Sequence, residues 1–361
     1  MLTIDADAHV VENEHTWDYM DPSDSHLRPY VVAPESPEHG GGRFWLIDGK
    51  VRGLRQVIND AKMAELKKNT GRDVETSKAT RQMENIGARI QHMDDLGIDI
   101  QVLQPTIFLE QIADRAEVEV ALCKAYNRWL ADIWSQAPDR LRWVAVLPML
   151  AMTEALKELR IAIQNGACGV LMRSLETDKT LLDPYFFPLY EEVSRLNIPM
   201  IVHVGNASAS MVDFYRRDLG LSRSGFVVFR LQTVGAFHSL IISELPDQFP
   251  SLRFGFLEAS AQWVPFAIHD LRRRMLGRLG ATLSDNIMKD NRIWVACETN
   301  DDLPYVLKYA GEDNLVIGTD YGHADQSTEI EALRTLKEQE DIDPAVIDKI
   351  LSDNPKALYN L

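Results

Sequence analysis

Cysteine is scarce in this chain. There are three, at Cys123, Cys168 and Cys297, and their separations suit neither a metal-binding cysteine motif nor a complete set of disulfides. Reduced thiols are therefore the expectation, and with them a cytoplasmic protein. Positive charge is short as well: 38 Lys and Arg against 54 Asp and Glu leave a formal charge of −16. Such a surface repels phosphate backbones and anionic lipid, so neither nucleic acid nor membrane is an expected partner. No apolar run is long enough to cross a bilayer. The first strand pattern starts at residue 2, which leaves no room for a signal peptide before it. No glycine-rich phosphate loop follows that strand, and this weighs against an open, nucleotide-binding sheet.

What is present is apolar mass with a regular rhythm. Of 361 residues, 45% are hydrophobic, enough for one large core. Residues 13–79 are irregular, with turn signals at Asp21-Pro22, Pro34, Pro37 and Gly40-Gly41-Gly42, and a hairpin pattern at 44–51 turning on Asp48-Gly49. This stretch reads as an insertion covering a pocket mouth, with Trp17, Phe44 and Trp45, and Phe214 and Tyr215 further on, as aromatics that line it. From Thr80 onward short apolar strands alternate with helices. Strands are expected at 99–104, 142–147, 168–172, 199–204, 253–258, 292–298 and 315–320. Helices are expected at 81–96, 116–136, from Thr153 as N-cap, 183–196, within 225–249, 264–280, 303–310, 328–340 and 344–352. With residues 2–12, that makes about eight strand–helix units. The expected fold is a single distorted (β/α)8 TIM-type barrel over 1–361, with 13–79 inserted after the first strand. An open doubly wound sheet is the runner-up.

Side chains alternate along a strand, so Asp5, Asp7 and His9 are expected on one face. Other polar groups sit where later strands end: Arg173, His203, Glu258, Glu298 and Asp320. In a barrel those ends form a single rim. Carboxylates and imidazoles meeting there need a cation to offset their burial, and both suit Zn or Mn. Arg173 is placed to clamp a substrate carboxylate or carbonyl.

These motifs resemble the amidohydrolase superfamily, in the amidohydrolase-related branch that includes aminocarboxymuconate-semialdehyde decarboxylase-like enzymes. Asp7-Ala8-His9 stands where that family usually carries His-x-His. His203 matches its fifth-strand histidine, and Gly318-Thr319-Asp320-Tyr321-Gly322-His323 its eighth-strand aspartate motif. Smaller signatures agree at 245–253, at Trp263-Val264-Pro265 and at 353–359. The resemblance implies a distorted barrel with one or two divalent ions, Zn first, with Mn or Fe as alternatives. It implies metal ligands at Asp7, His9, His203 and Asp320, with Asp320 also moving a proton. It further implies a small-molecule substrate and a homo-oligomer, a dimer. One feature departs from the pattern: the histidine common after the sixth strand is replaced, with Ala259 at its place beside Glu258. Glu258 then becomes a ligand or base, His238 a catalytic alternative that points inward, and His323 a residue that orients Asp320. Because that histidine is prominent in the decarboxylase pattern, the first expectation is a metal-dependent hydrolase. It would act on an amide, ester, lactone or thioester through a metal-activated water. The alternative is a metal-dependent non-oxidative decarboxylase of an unsaturated or aromatic carboxylic acid.

Overall fold

The structure is a computed structural model that describes residues 2–32, 44–54, 60–205, 226–243 and 245–361. Eight parallel strands lie side by side in chain order. They are β1 (Ile4–His9), β2 (Ile100–Gln104), β3 (Leu141–Ala145), β4 (Ala167–Arg173), β5 (Pro199–His203), β6 (Arg253–Leu257), β7 (Ile293–Cys297) and β8 (Leu315–Ile317). Every residue of β1, β2, β4, β5, β7 and β8 is buried. Burial on both faces is what a barrel demands, because side chains fill its interior and helices cover its outside. The helical layer includes α1 (Ile86–Leu96), α2 (Ala116–Gln136), α3 (Met152–Gln164), α4 (Phe187–Arg195), α5 (Leu231–Ile242), α6 (Val264–Leu279), α7 (Leu303–Ala310), α8 (Ala332–Lys337) and α9 (Asn354–Tyr359).

The ring is nearly closed between β1 and the chain just after β8. His9 N–H donates to Tyr321 O at 2.8 Å, and Asp320 N–H donates to Asp7 O at 2.9 Å. Gly318 allows this approach: a Cβ there would lie 2.3 Å from Asp7 Cβ. The terminal helix α9 packs against the inner strands. Leu358 meets β6 where Gly255 leaves room, and the Tyr359 hydroxyl donates to Ala6 O at 2.8 Å. Asn354 ties the same helix to β8 through Leu315 O at 2.7 Å. This accounts for the 353–359 signature as a structural fastening.

Within 13–79, strands Tyr30–Val32, Phe44–Ile47 and Lys50–Leu54 form a small antiparallel sheet, followed by a helix at Asp60–Thr70. The hairpin turns at Asp48 and Gly49, with φ of 53° and 71°, the left-handed pair that a tight two-residue turn requires. Trp17 and Trp45 are buried edge to face at 5.7 Å, as core residues rather than pocket lining. The turn signals at Pro34, Pro37 and Gly40–Gly42, and the aromatics Phe214 and Tyr215, lie outside the described residues.

Three expected helices differ. The segment 81–96 is broken: a short turn at Lys78–Arg81 ends before Met83, whose φ is 54°, and Asn85 caps a fresh start by accepting from Ala88 N–H. Thr153 does not cap α3, which begins at Met152. Helix α8 starts at Ala332 rather than at Thr328, because the Thr328 hydroxyl is bonded to Asp320 and Glu329 N–H to Thr319 O.

Candidate metal centre

Strand β1 delivers Asp7 and His9, β5 delivers His203, and the turns after β6 and β8 deliver Glu258 and Asp320. Each imidazole has its tautomer set by a backbone carbonyl, which can only accept. His9 Nδ1 lies 2.8 Å from Pro105 O, and His203 Nδ1 lies 2.8 Å from Val204 O. In the neutral form, both Nδ1 atoms therefore carry the hydrogen, and both Nε2 atoms present bare lone pairs. His9 Nε2 lies 3.5 Å from Asp7 Oδ1, 3.4 Å from Asp320 Oδ1 and 3.7 Å from Glu258 Oε2. His203 Nε2 lies 3.4 Å from Asp7 Oδ1 and 3.3 Å from Glu258 Oε2.

Among the described residues, none of these five atoms has a hydrogen-bond partner, although all are buried. Leaving one such group unsatisfied costs about 1–3 kcal/mol, so donors clustered in this way need a partner. A divalent cation fits. Donors held at about 2.1 Å from one ion sit about 3.4 Å apart in a tetrahedral arrangement, and the spacings here run from 3.3 to 3.7 Å. Two overlapping sets have donor atoms within 4.8 Å of one another: Asp7, His9, His203 and Glu258, and then His9, Glu258, Asp320 and His323.

The local electrostatics point the same way. Burial pushes the Glu258 carboxyl well up, and the charges of Asp320 and Asp325 add to this. Burial likewise raises Asp320, helped by Asp325 and Asp7. His9 is driven down by burial and by the neighbouring His323 and His203. Burial opposes protonation of His203, but Asp7 and Glu258 outweigh it and the net direction is up. A bound cation would relieve the crowded carboxylates.

Local backbone geometry aims the two late ligands. Glu258 and Asp320 take φ of 58° and 50°, left-handed values that ordinary residues adopt only when held there. The chain after β8 does much of the holding. The Thr328 hydroxyl donates to Asp320 Oδ2 at 2.6 Å, and Ser327 Oγ lies 3.0 Å from Glu258 Oε1. His323 stacks on His9 with ring centroids 3.8 Å apart, and its Nδ1 lies 2.7 Å from Asp320 Oδ1, without hydrogen-bond alignment. That places it beside Asp320, as the sequence reading expects.

Other expected site residues are elsewhere. Arg173 is buried, and its guanidinium is engaged by Glu176 and by the carbonyls of Phe108 and Glu110, so it is no substrate clamp. His238 lies on α5 with Nε2 3.2 Å from Asp270 on α6; it faces the helical layer and not the centre. Asp5 leaves the shared face because the register of β1 shifts between Asp5 and Ala8. It accepts from Thr319 and Gln101 instead, and burial lifts its carboxyl to about 6 against those bonds. Glu298 is paired with Arg230 at 3.0 Å. Sequence reasoning missed Thr106, Ser327, Thr328 and the carbonyls of Pro105 and Val204. Only the proline closing β2 hinted at any of them.

A barrel whose C-terminal rim gathers imidazoles and carboxylates around one point defines a class of metal-dependent barrel enzymes. This chain belongs to the amidohydrolase family: the Amidohydro_2 model, described as Amidohydrolase, matches residues 4–361. It is 24% identical over 242 residues to a 2-amino-3-carboxymuconate-6-semialdehyde decarboxylase of Dictyostelium discoideum, covering 64% of this chain and 65% of that one. It is 26% identical over 175 residues to a gamma-resorcylate decarboxylase of Rhodococcus jostii (strain RHA1), covering 46% and 53%. The match thus spans just under two thirds of one curated relative and about half of the other. Among solved structures, an amidohydrolase from Mycobacterium avium subsp. paratuberculosis K-10 superposes with a TM-score of 0.80 at 18% identity, over 99% of both chains. A 5-carboxyvanillate decarboxylase from Sphingomonas paucimobilis gives 0.69 at 17% identity, over 100% of this chain and 99% of that one. A dihydroxybenzoic acid decarboxylase from Polaromonas sp. JS666, with bound manganese, gives 0.66 at 18%, over 100% and 97%. At these identities the structural likeness concerns the fold. No helix among the described residues is long and apolar enough to cross a membrane.

Proposed function

We propose that the protein is a metal-dependent, non-oxidative decarboxylase of an unsaturated or aromatic carboxylic acid, acting as a homodimer. The observation that carries the reading is the set of five buried donor atoms at the rim that have no partner among the described residues. The two curated relatives, both named as decarboxylases, support carbon–carbon cleavage over the hydrolysis favoured by the sequence alone. His9 and His203 would hold the ion through Nε2, and Asp7, Asp320 and Glu258 through their free oxygens. When bound, the ion supplies positive charge that orients the substrate's oxygens and stabilises negative charge as it develops. Three carboxylates with two imidazoles suit Mn at least as well as Zn.

In the reaction, the bond to the carboxyl carbon breaks and its electron pair stays on the substrate carbon. CO2 leaves, and that carbon takes up a proton. Asp320 and His323 would deliver it. Thr106 Oγ1 gives its hydrogen to Val10 O at 2.7 Å, so His323 Nε2 must donate to Thr106 Oγ1 at 2.9 Å. His323 Nδ1 and Asp320 Oδ1 then face each other at 2.7 Å, and a small rotation lets them share one proton. A screen of aromatic and unsaturated carboxylic acids with trapped CO2 tests the proposal. CO2 release that Asp320→Asn abolishes, without unfolding the protein, is expected. Acid release from esters or lactones with no CO2 would return the hydrolase reading.

A further inference from the structure

We infer that Arg89 and Asp5, joined through Gln101, form one positioning unit that fixes the main chain carrying Asp7, His9 and Asp320 and so sets the affinity of the centre for its ion. The inference rests on those three residues being ligands, and it concerns groups that touch neither ion nor substrate. Arg89 is fully buried inside the helical layer. Its Nη1 and Nη2 both reach His9 O at 3.3 Å, Nη1 also reaches Thr80 O at 3.3 Å, and Nε donates to Gln101 Oε1 at 2.7 Å. The guanidinium carbon sits 3.6 Å above the centre of the Tyr321 ring. Arg89 therefore grips the carbonyl of one ligand and the ring of the residue following another.

Asp5 grips the other side. Its Oδ1 accepts from Thr319 N–H at 3.0 Å and Asp7 N–H at 3.3 Å, and its Oδ2 accepts from the Thr319 hydroxyl at 2.6 Å and Gln101 Nε2 at 2.9 Å. Thr319 immediately precedes Asp320. The Thr319 hydroxyl oxygen in turn accepts from Tyr321 N–H at 3.1 Å. The residues on both sides of Asp320, and those around Asp7 and His9, are thus held by one connected set of bonds.

The chain of donors has a single possible direction. Guanidinium only donates, so Gln101 must turn its oxygen toward Arg89 and its amide hydrogens toward Asp5. Asp5 Oδ2 must then accept from both Gln101 and Thr319. An asparagine there cannot keep every bond: with nitrogen at that position, donor faces donor. Two charged groups buried without direct contact are a poor device for stability alone, since apolar side chains would fill the space at lower desolvation cost. What the arrangement does supply is fixed direction at the seam where β1 meets the β8 turn.

The test measures Co2+ and Mn2+ affinity by chelator competition, the visible spectrum of the Co2+ form, and the melting temperature of the metal-free protein. Asp5→Asn and Arg89→Met are each expected to weaken metal binding about 10- to 100-fold, the range seen when groups behind metal ligands are removed. The Co2+ spectrum should change with them, and Arg89→Lys should recover part of the loss. Gln101→Leu severs only the link and serves if the other variants do not fold; a loss of about tenfold is expected. Unchanged affinity and an unchanged Co2+ spectrum in the folded variants, with only the melting temperature lowered, would overturn the inference. A wild-type protein that binds neither metal would instead remove the metal reading itself, and the inference with it.

Discussion

Gly318→Ala is the sharpest perturbation of the seam. The new Cβ would lie 2.3 Å from Asp7 Cβ, 2.8 Å from Asp7 O and 2.9 Å from Asp7 Cα. Two of those atoms are backbone and cannot rotate aside. Ordinary contact begins at 3.4 Å, so β1 and the β8 turn must separate by about 1 Å. Overpacking of this kind costs about 1–3 kcal/mol of stability. The effect on the centre is larger in proportion, because coordination distances tolerate only about ±0.2 Å. Mn2+ affinity should fall by roughly 100-fold, the upper end for disturbed ligand support. Gly169→Ala is the control: its Cβ would meet Ile201 Cγ1 at 3.2 Å and Pro199 Cγ at 3.4 Å, side-chain atoms that need yield only slightly. It should cost less than about 1.5 kcal/mol and leave Mn2+ affinity unchanged. Chelator competition and thermal melts of the metal-free forms read both effects. Wild-type Mn2+ affinity in Gly318→Ala would refute the view that the seam positions Asp7 against Asp320.

Other expectations follow from single residues. Glu258→Gln should leave the fold intact and lower metal affinity by about tenfold or more, measured by chelator competition; unchanged affinity removes Glu258 from the ligand set. His238→Ala should keep metal content and turnover near wild type, because its ring is paired with Asp270. Burial lifts Glu119 from the usual glutamate range to about 7 in the folded state. A raised carboxyl favours folding fully below the unfolded pKa, and that contribution is lost as pH climbs through about 7. The loss amounts to about 3 kcal/mol at most. Glu119→Gln keeps an oxygen for Leu150 N–H, so its melting temperature should fall less than wild type between pH 5 and pH 8.

The barrel was legible because its strands are short apolar runs closed by proline, glycine or a polar residue, and the helices between them keep a 3.6-residue rhythm. Asp7, His9, His203, Glu258 and Asp320 could be found at strand ends because a barrel brings all such ends to one rim. Direction was not legible. Arg173 ends a strand like the others, but Glu176, three residues on, draws its guanidinium away. Asp5 has the right alternation, but the register shift in β1 turns it toward Thr319. Thr328 has the look of a helix start, yet its hydroxyl serves Asp320. In each case a partner outside the local pattern decides the outcome.

The most direct test is a crystal grown with MnCl2 and measured at the manganese edge. The account predicts an anomalous peak bonded to Nε2 of both His9 and His203, at about 2.0–2.3 Å. No peak between those two rings at saturating metal would contradict it.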